Sequence, residues 1–248
     1  MKLFKHLWFG NFNNPIEELK DLAMDENWGK TNDKHKHPIL VSYVWHTFER
    51  LWFEKKVVVE GDYCCFNTGL VTKNQEEIFG YAEVNKKPEA NIPFFFKGWR
   101  KSSDRDLTKF KTLGETANYI KNPADLIYDT TIELRQNIDH IIEDNKSRFP
   151  KEFIVMGDHL LSNILQGAIE DAKKRVKRNY KTAIPQFYDG KLQLLLPLCL
   201  KTKACADLAL VIEKENDDVY RAATCLTLEM AINNARLIAK PDDEWLKV

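Results

Sequence analysis

The densest group of chemically active side chains lies in the segment AKKRVKRNYKTAIPQFY, residues 172–188. Six cations crowd the end of a helical pattern here: Lys173, Lys174, Arg175, Lys177, Arg178 and Lys181. Arg175 and Arg178 are three residues apart, so both could face one cleft and bind phosphate bidentately. Cations at a helix C-terminus also complement its negative dipole, so a solvated helix end is an equally good interpretation.

Hydrogen-bonding and aromatic side chains follow these cations directly along the chain. They are Asn179, Tyr180, Gln186 and Tyr188. Aromatic rings stack on unpaired bases, and amides bond to the edges of those bases. The clustering therefore suits a nucleotide or an RNA strand as ligand.

The last predicted helix carries a second polar group, formed by Asn233, Asn234 and Arg236. Asparagine inside a helix costs roughly 0.5 kcal/mol relative to alanine, so its presence there calls for a reason. Glu229, Asn233 and Arg236 share one helix face by their spacing. They bind a ligand, face solvent or form a buried polar network that needs partners.

His140 and Asp144 are four residues apart in NIDHIIEDN, the spacing at which a carboxylate can orient an imidazole for acid–base work. The alternative is an ordinary surface ion pair.

Asn67 lies in the turn FNTGL, which could aim hydrogen-bonding groups at an anion or simply reverse the chain.

Several well-known sites are absent from the sequence. It has no GxGxxG, no GxxxxGK[ST] and no GxSxG, which argues against dinucleotide binding, P-loop hydrolysis and a nucleophile elbow. His35 and His37 have no CxxC or HExxH beside them, so we expect no metal site. No particular cofactor is indicated.

Composition restricts the partners and the compartment. Lysine and arginine balance aspartate and glutamate at 37 each among 248 residues, so nucleic-acid binding would need a local patch. The five cysteines are odd in number and two are adjacent, unlike a disulfide framework. Without a signal-peptide pattern or a long apolar stretch, the expectation is a cytoplasmic protein with no membrane partner.

Hydrophobic periodicity predicts helices over residues 15–25, 38–55, 157–179 and 228–239, and another within 131–150. Alternating and β-branched segments predict hairpins that turn at Gly61-Asp62, at Asp189-Gly190 and near 216–218. The predicted fold class is α+β, with largely antiparallel sheets of hairpins and meanders packed against long helices. One domain over 1–248 is expected, with a helical part at about 1–55 integrated into it.

These segments together resemble the domain-of-unknown-function family numbered 3825, almost from end to end. The resemblance is carried by the following segments: HTFERLWFE, FNTGL, NPADLIYD, NIDHIIEDNKSRFP, RVKRNYKTAIPQFY, LQLLLPLCL, DLALVI and LTLEMAINNARLIA. The family is bacterial and is similar to modules found beside cold-shock and LOTUS-type RNA-binding domains. The resemblance implies a link to RNA and supplies no catalytic residue.

Three hypotheses about function remain open at this point. In the first, the protein acts on RNA or a nucleotide as a phosphoester hydrolase, with His140 as general acid or base oriented by Asp144. Phosphate and ligand would then be bound by Arg175, Arg178, Arg236, Asn67, Asn179, Tyr180, Gln186, Asn233 and Asn234. In the second, the protein binds RNA or a nucleotide without turnover. In the third, the polar residues form a buried structural network.

Overall fold

The computed structural model describes residues 2–87 and 91–240. The chain divides into two compact units, Met1–Asn118 and Tyr119–Val248. Each unit contains a five-stranded sheet and helices, so the predicted α+β class is confirmed. The prediction of one domain with an integrated N-terminal part is not tested by this division and stays a prediction.

The first unit begins with three helices, α1 (Leu3–His6), α2 (Asn13–Leu22) and α3 (Pro38–Phe53). Proline in the first turn of α3 loses no hydrogen bond there and has the φ angle that a helix needs. The helices α2 and α3 were predicted within a few residues of their observed bounds. The short helix α1 was not predicted.

The first sheet contains β1 (Leu7–Trp8), β2 (Val58–Glu60), β3 (Tyr63–Val71), β4 (Glu77–Val84) and β5 (Phe94–Lys101). Its order is β1-β5-β4-β3-β2, with β1 parallel to β5 and the other neighbours antiparallel. The predicted turn at Gly61-Asp62 is confirmed, and Gly61 has the positive φ that glycine adopts most easily.

Both faces of the first sheet carry apolar side chains. On one face, Phe48 of α3 packs edge-on against Phe66, with ring centroids 5.0 Å apart. A Cβ atom at Gly80 would lie 2.2 Å from the Phe66 ring, so the ring occupies the space that glycine leaves. On the other face, a small core forms where Leu107 and Phe110 contact sheet residues including Tyr81.

Short 3₁₀ turns lie in the connecting segments, at Arg105–Lys109, Pro123–Leu126, Lys146–Arg148 and Tyr180–Thr182. The Asn122 side chain accepts a hydrogen bond from the Ala124 amide and so caps the second of these turns. NPADLIYD was predicted to contain such a piece. The described segment 112–120, which was also predicted to be helical or a turn, contains neither helix nor strand.

The second sheet contains β6 (Glu133–Gln136), β7 (Ile184–Tyr188), β8 (Lys191–Leu198), β9 (Leu208–Asn216) and β10 (Val219–Leu226). Its order is β6-β10-β9-β8-β7. The strands β7 to β10 form the predicted antiparallel meander, whereas β6 lies parallel to β10.

The helices of the second unit are α4 (Ile138–Asn145), α5 (Lys151–Ile154), α6 (Asp158–Arg178) and α7 (Leu228–Ala235). The helix expected within 131–150 is shorter than predicted, because Glu133–Gln136 pairs with β10 and Asn137 caps α4. The helix α7 ends at Ala235, four residues before its predicted end at 239.

The long helix α6 covers one face of the second sheet and confirms the predicted core helix. Its buried stripe includes Leu161, Leu165, Ile169, Ala172 and Val176, which pack in one cluster with Leu194, Leu196, Leu208, Leu210 and Ile212 of the sheet. Leu160, predicted inward, is exposed instead. Among the described residues, no helix combines the length and the apolar character needed to cross a membrane.

Candidate nucleic-acid interface

The C-terminal end of α6 presents cations to solvent because its apolar stripe continues to Val176 on the opposite side. Lys173 and Lys174 are paired, with Glu170 at 2.7 Å and Asp171 at 3.6 Å. Lys177, Arg178 and Lys181 are exposed, and none of them pairs with a carboxylate in residues 2–87 and 91–240. Three uncompensated positive charges therefore lie within five residues.

The chain leaves α6 through a short turn that positions an aromatic ring beside these cations. Asn179 adopts an extended conformation, and its side-chain oxygen accepts a hydrogen bond from the Lys181 amide at 3.1 Å. The side chain of Tyr180 is left 59% exposed. We call the group Lys177, Arg178, Tyr180 and Lys181 the basic end of α6.

Arg175 lies one turn before the basic end and has a partner within the chain. Its guanidinium donates to the carbonyl oxygen of Lys203, in the connection between β8 and β9. The same connection is held by Asp207, whose carboxylate accepts from the amides of Leu200 at 2.8 Å and Lys201 at 3.0 Å. Arg175 thus fastens a loop to α6.

Gln186 and Asn234 belong to a polar chain that joins α7 to the second sheet. Gln186 is buried; its Nε2 donates to Oε1 of Gln193 at 2.9 Å, and its Oε1 accepts from Nδ2 of Asn234 at 3.2 Å. Gln193 donates onward to Glu213 at 2.8 Å. Burial tends to raise the pKa of Glu213, but hydrogen bonds from Lys191 and Gln193 bring it below its usual value. The structural hypothesis expected both the NNAR and the RNY segments in such a network, but only Asn234 belongs to this one, and Arg178 is exposed.

Asn233 of α7 and Arg236, the residue that follows the helix, are the other polar residues predicted here. Asn233 donates from Nδ2 to the carbonyl oxygen of Glu229 at 2.9 Å, one turn earlier. Its Oδ1 is buried and accepts no hydrogen bond within the part of the chain that the structure describes. Arg236 is also buried, with only 9% of its surface exposed. Arg236 thus differs from the exposed cations of α6 in its burial.

Asn67 lies in the first unit, inside β3, so the turn predicted at FNTGL is wrong: its side chain organises an irregularity in the pairing of β3 with β4. Its Nδ2 donates to Glu77 at 3.0 Å and to the Gly114 carbonyl at 3.3 Å. Its Oδ1 accepts from the Gly69 amide at 2.9 Å. Gly69 has a positive φ at this irregularity, a conformation that glycine adopts most easily. The hydrogen-bonding groups of Asn67 are therefore engaged by its own unit.

His140 and Asp144 form the ion pair that their spacing predicts, with Nδ1 and Oδ2 3.2 Å apart on the surface of α4. Lys146, at the end of α4, bonds to Asp158 at the start of α6. The 21 residues of α6 rise about 30 Å from that start to Arg178. Lys146 thus ties the C-terminal end of α4 to the start of α6, and the exposed cations lie at the other end of α6.

The structure therefore groups only part of the predicted site. Arg178, Asn179 and Tyr180 lie together, Gln186 and Asn234 bond to each other, and His140 pairs with Asp144. Lys177 and Lys181 belong with Arg178 but were predicted only as members of the basic cluster. They lie off the apolar stripe of α6 that ends at Val176, and this position is the signal in the sequence that would have identified them.

In residues 2–87 and 91–240, no group of three or more His, Cys, Asp or Glu side chains could hold a metal ion.

The fold and the site together define an α+β protein with two five-stranded sheets and an exposed basic helix end. The model of the family described as a domain of unknown function, DUF3825, matches residues 19–245. The chain belongs to this family, and the resemblance found in the sequence is confirmed. Searches of curated proteins and of solved structures found no match.

Proposed function

We propose that this protein binds RNA through the basic end of α6 and acts as a binding module without turnover. The observation that supports the proposal most directly is the set of three exposed cations, Lys177, Arg178 and Lys181, without carboxylate partners among the described residues. Neighbouring Lys173 and Lys174 are paired, so the unpaired state is particular to this end of the helix.

An RNA strand suits this arrangement for electrostatic and geometric reasons. Phosphates of a single strand can replace the missing carboxylates, and their counterions are released on binding. The exposed Tyr180 ring beside the cations offers a face on which a base can stack. Since the whole chain has no net charge, attraction must act locally, at the patch itself.

The same contacts favour binding over hydrolysis. The proposed acid or base, His140, is an exposed residue of α4 that pairs with Asp144. Arg236 is buried, and Arg175 donates to a backbone carbonyl. Two of the three arginines that the hydrolase hypothesis assigns to phosphate therefore have other surroundings than the exposed Arg178.

The proposal is tested by removing the unpaired charges together, in the variant Lys177→Gln/Arg178→Gln/Lys181→Gln. We expect its affinity for a fluorescein-labelled single-stranded RNA to fall at least tenfold in anisotropy titrations, because three phosphate contacts are lost. The same RNA is examined for cleavage with and without Mg²⁺ or Mn²⁺, and we expect none. Cleavage by the wild type that disappears in His140→Ala would support the hydrolase hypothesis instead.

The matched control removes three other positive charges, each of which already has a carboxylate partner. It is the variant Arg135→Gln/Lys174→Gln/Lys214→Gln, whose partners are Glu133, Asp171 and Asp217. Both variants have the same formal net charge. The control should bind RNA like the wild type. Equal loss of affinity in both variants, or in neither, would contradict the proposal.

A further inference from the structure

The first sheet exposes two aromatic side chains on one of its faces. Trp8 of the edge strand β1 lies in register with Phe95 of β5 in a parallel pair. Since residues in register share a face, both rings project from the same side of the sheet. The exposed fractions are 49% for Trp8 and 42% for Phe95.

These rings are exposed where the rest of this face is covered. Further across the sheet, Phe79 and Tyr81 are buried beneath Leu107 and Phe110. The neighbouring residues in sequence, Leu7 and Phe96, are buried on the opposite face, as strand alternation requires. Two large aromatic side chains thus lie side by side and half-exposed on this face.

The charges beside the Phe95 ring are mixed, because Lys97 lies there together with Glu83, the residue of β4 in register with Phe95. The Lys97 ammonium lies 5.7 Å from the centroid of the Phe95 ring and is well exposed. Its nearest carboxylate, Glu83, is 3.9 Å away and already accepts a hydrogen bond from Tyr81 at 2.8 Å. Lys97 is therefore only weakly neutralised, beside a ring that is open to solvent.

We propose that Trp8 and Phe95 form a stacking platform for two bases of a single-stranded nucleic acid, with Lys97 contacting a phosphate. Neighbouring strands lie about 4.8 Å apart, so the two rings can receive adjacent bases. Aromatic side chains interleaved with lysine on an open sheet surface suit a strand whose bases are unpaired. A purely apolar partner would gain nothing from the Lys97 ammonium.

The inference goes beyond the proposed function, because it concerns the other unit and two aromatic rings, Trp8 and Phe95, that the proposed function does not use. It predicts that binding depends on the presence of bases and on each ring. The basic end of α6 predicts dependence on phosphates and on salt. The two proposals can therefore fail separately.

The test uses the full chain and two fluorescein-labelled probes of equal length, a uridine heptamer and its abasic counterpart. Trp8→Ala and Phe95→Ala should each weaken binding of the heptamer on the order of tenfold, as expected for a lost base–ring stack. Binding of the abasic probe should not change in either variant. Trp8→Tyr, which keeps an aromatic face, should restore most of the affinity.

Phe53→Ala is the matched control, because Phe53 is an aromatic residue of the same unit, 77% exposed, on α3. It should bind both probes like the wild type. Repeating Trp8→Ala in the Lys177→Gln/Arg178→Gln/Lys181→Gln background separates the proposals: a further loss there supports the platform whatever the outcome at α6.

Three results would overturn the platform. The first is unchanged binding of the heptamer by Trp8→Ala and Phe95→Ala, and the second is no binding of the heptamer by the wild type. The third is a wild-type dimer in sedimentation equilibrium that Trp8→Ala dissociates, since the rings would then contact a second copy of this chain.

Discussion

Some polar side chains of the second unit already have partners within the chain, and others do not. Gln186 and Asn234 bond to each other, and Gln193 extends that chain to Glu213. Lys177 and Arg178 have no such partner among the described residues. A buried amide that loses its partner is costly, whereas an exposed cation without a partner remains well hydrated and free to bind. Stability and binding are thus assigned to different residues.

Removing one member of the buried network should therefore cost stability and leave RNA binding intact. We expect Asn234→Ala to lower the free energy of unfolding by about 1–3 kcal/mol, because Oε1 of buried Gln186 loses its donor. Urea denaturation followed by circular dichroism measures the change. Tyr188→Ala, at an exposed position of β7, serves as the control. A stable Asn234→Ala protein with weakened RNA binding would contradict this assignment.

The cysteines provide a second prediction at the scale of single residues. Burial raises the pKa of Cys64, Cys65 and Cys225 to about 12, whereas Cys205 is exposed. Since the thiolate is the reactive form, Cys205 should react first with a disulfide reagent at pH 8. The three buried thiols should react only after unfolding.

The folded state retains protons on these buried thiols that the unfolded chain loses above the ordinary thiol pKa of 9.0. Their contribution to stability is therefore complete below pH 9 and is lost as the pH rises towards 12. Cys205→Ser is the control, because it should abolish only the fast phase of labelling. Rapid labelling of all five cysteines in the native protein would be inconsistent with this account.

At the scale of elements, the sequence predicts those whose signals are local. The stripe from Leu161 to Val176 predicts α6, and Asp189-Gly190 predicts the turn between β7 and β8, because each signal lies within the element itself. The strand β6 was wrongly assigned to a helix, because its partner β10 lies more than 80 residues further along the chain. The two-residue strand β1 depends on distant β5 in the same way.

The candidate site, too, was predictable only where its signal in the sequence is local. The basic cluster is visible in the sequence because its charges are consecutive on one helix. Some of its cations have partners far along the chain, as Arg175 has in the Lys203 carbonyl 28 residues away. The periodicity of the sequence cannot indicate such distant partners. The pairing of Gln186 with Asn234 across 48 residues was equally hidden.

The contact between Arg175 and the loop before β9 gives a prediction at this scale. We expect Arg175→Ala to increase amide hydrogen exchange in residues 199–207, because the loop loses its attachment to α6. Lys174→Ala, at the adjacent position on the helix, should leave that exchange unchanged. If both variants exchange like the wild type, Arg175 does not fasten the loop.

At the scale of the whole molecule, positive and negative charges balance at 37 each, so the chain has no overall field to attract a polyanion. The family match over residues 19–245 covers nearly all of the chain and includes the basic end of α6. Affinity for RNA must then come from a few local contacts. Such contacts have a definite signature, since the number of phosphates bound determines how strongly salt weakens binding.

The most direct test of the central claim is the salt dependence of RNA affinity. For a single strand that contacts Lys177, Arg178 and Lys181, a plot of log affinity against log salt should have a slope of about −2. In the variant Lys177→Gln/Arg178→Gln/Lys181→Gln this contribution should be lost, so that the slope is shallower than that of the wild type by about 2, while the matched control keeps the wild-type value. An unchanged slope in that variant would contradict the account.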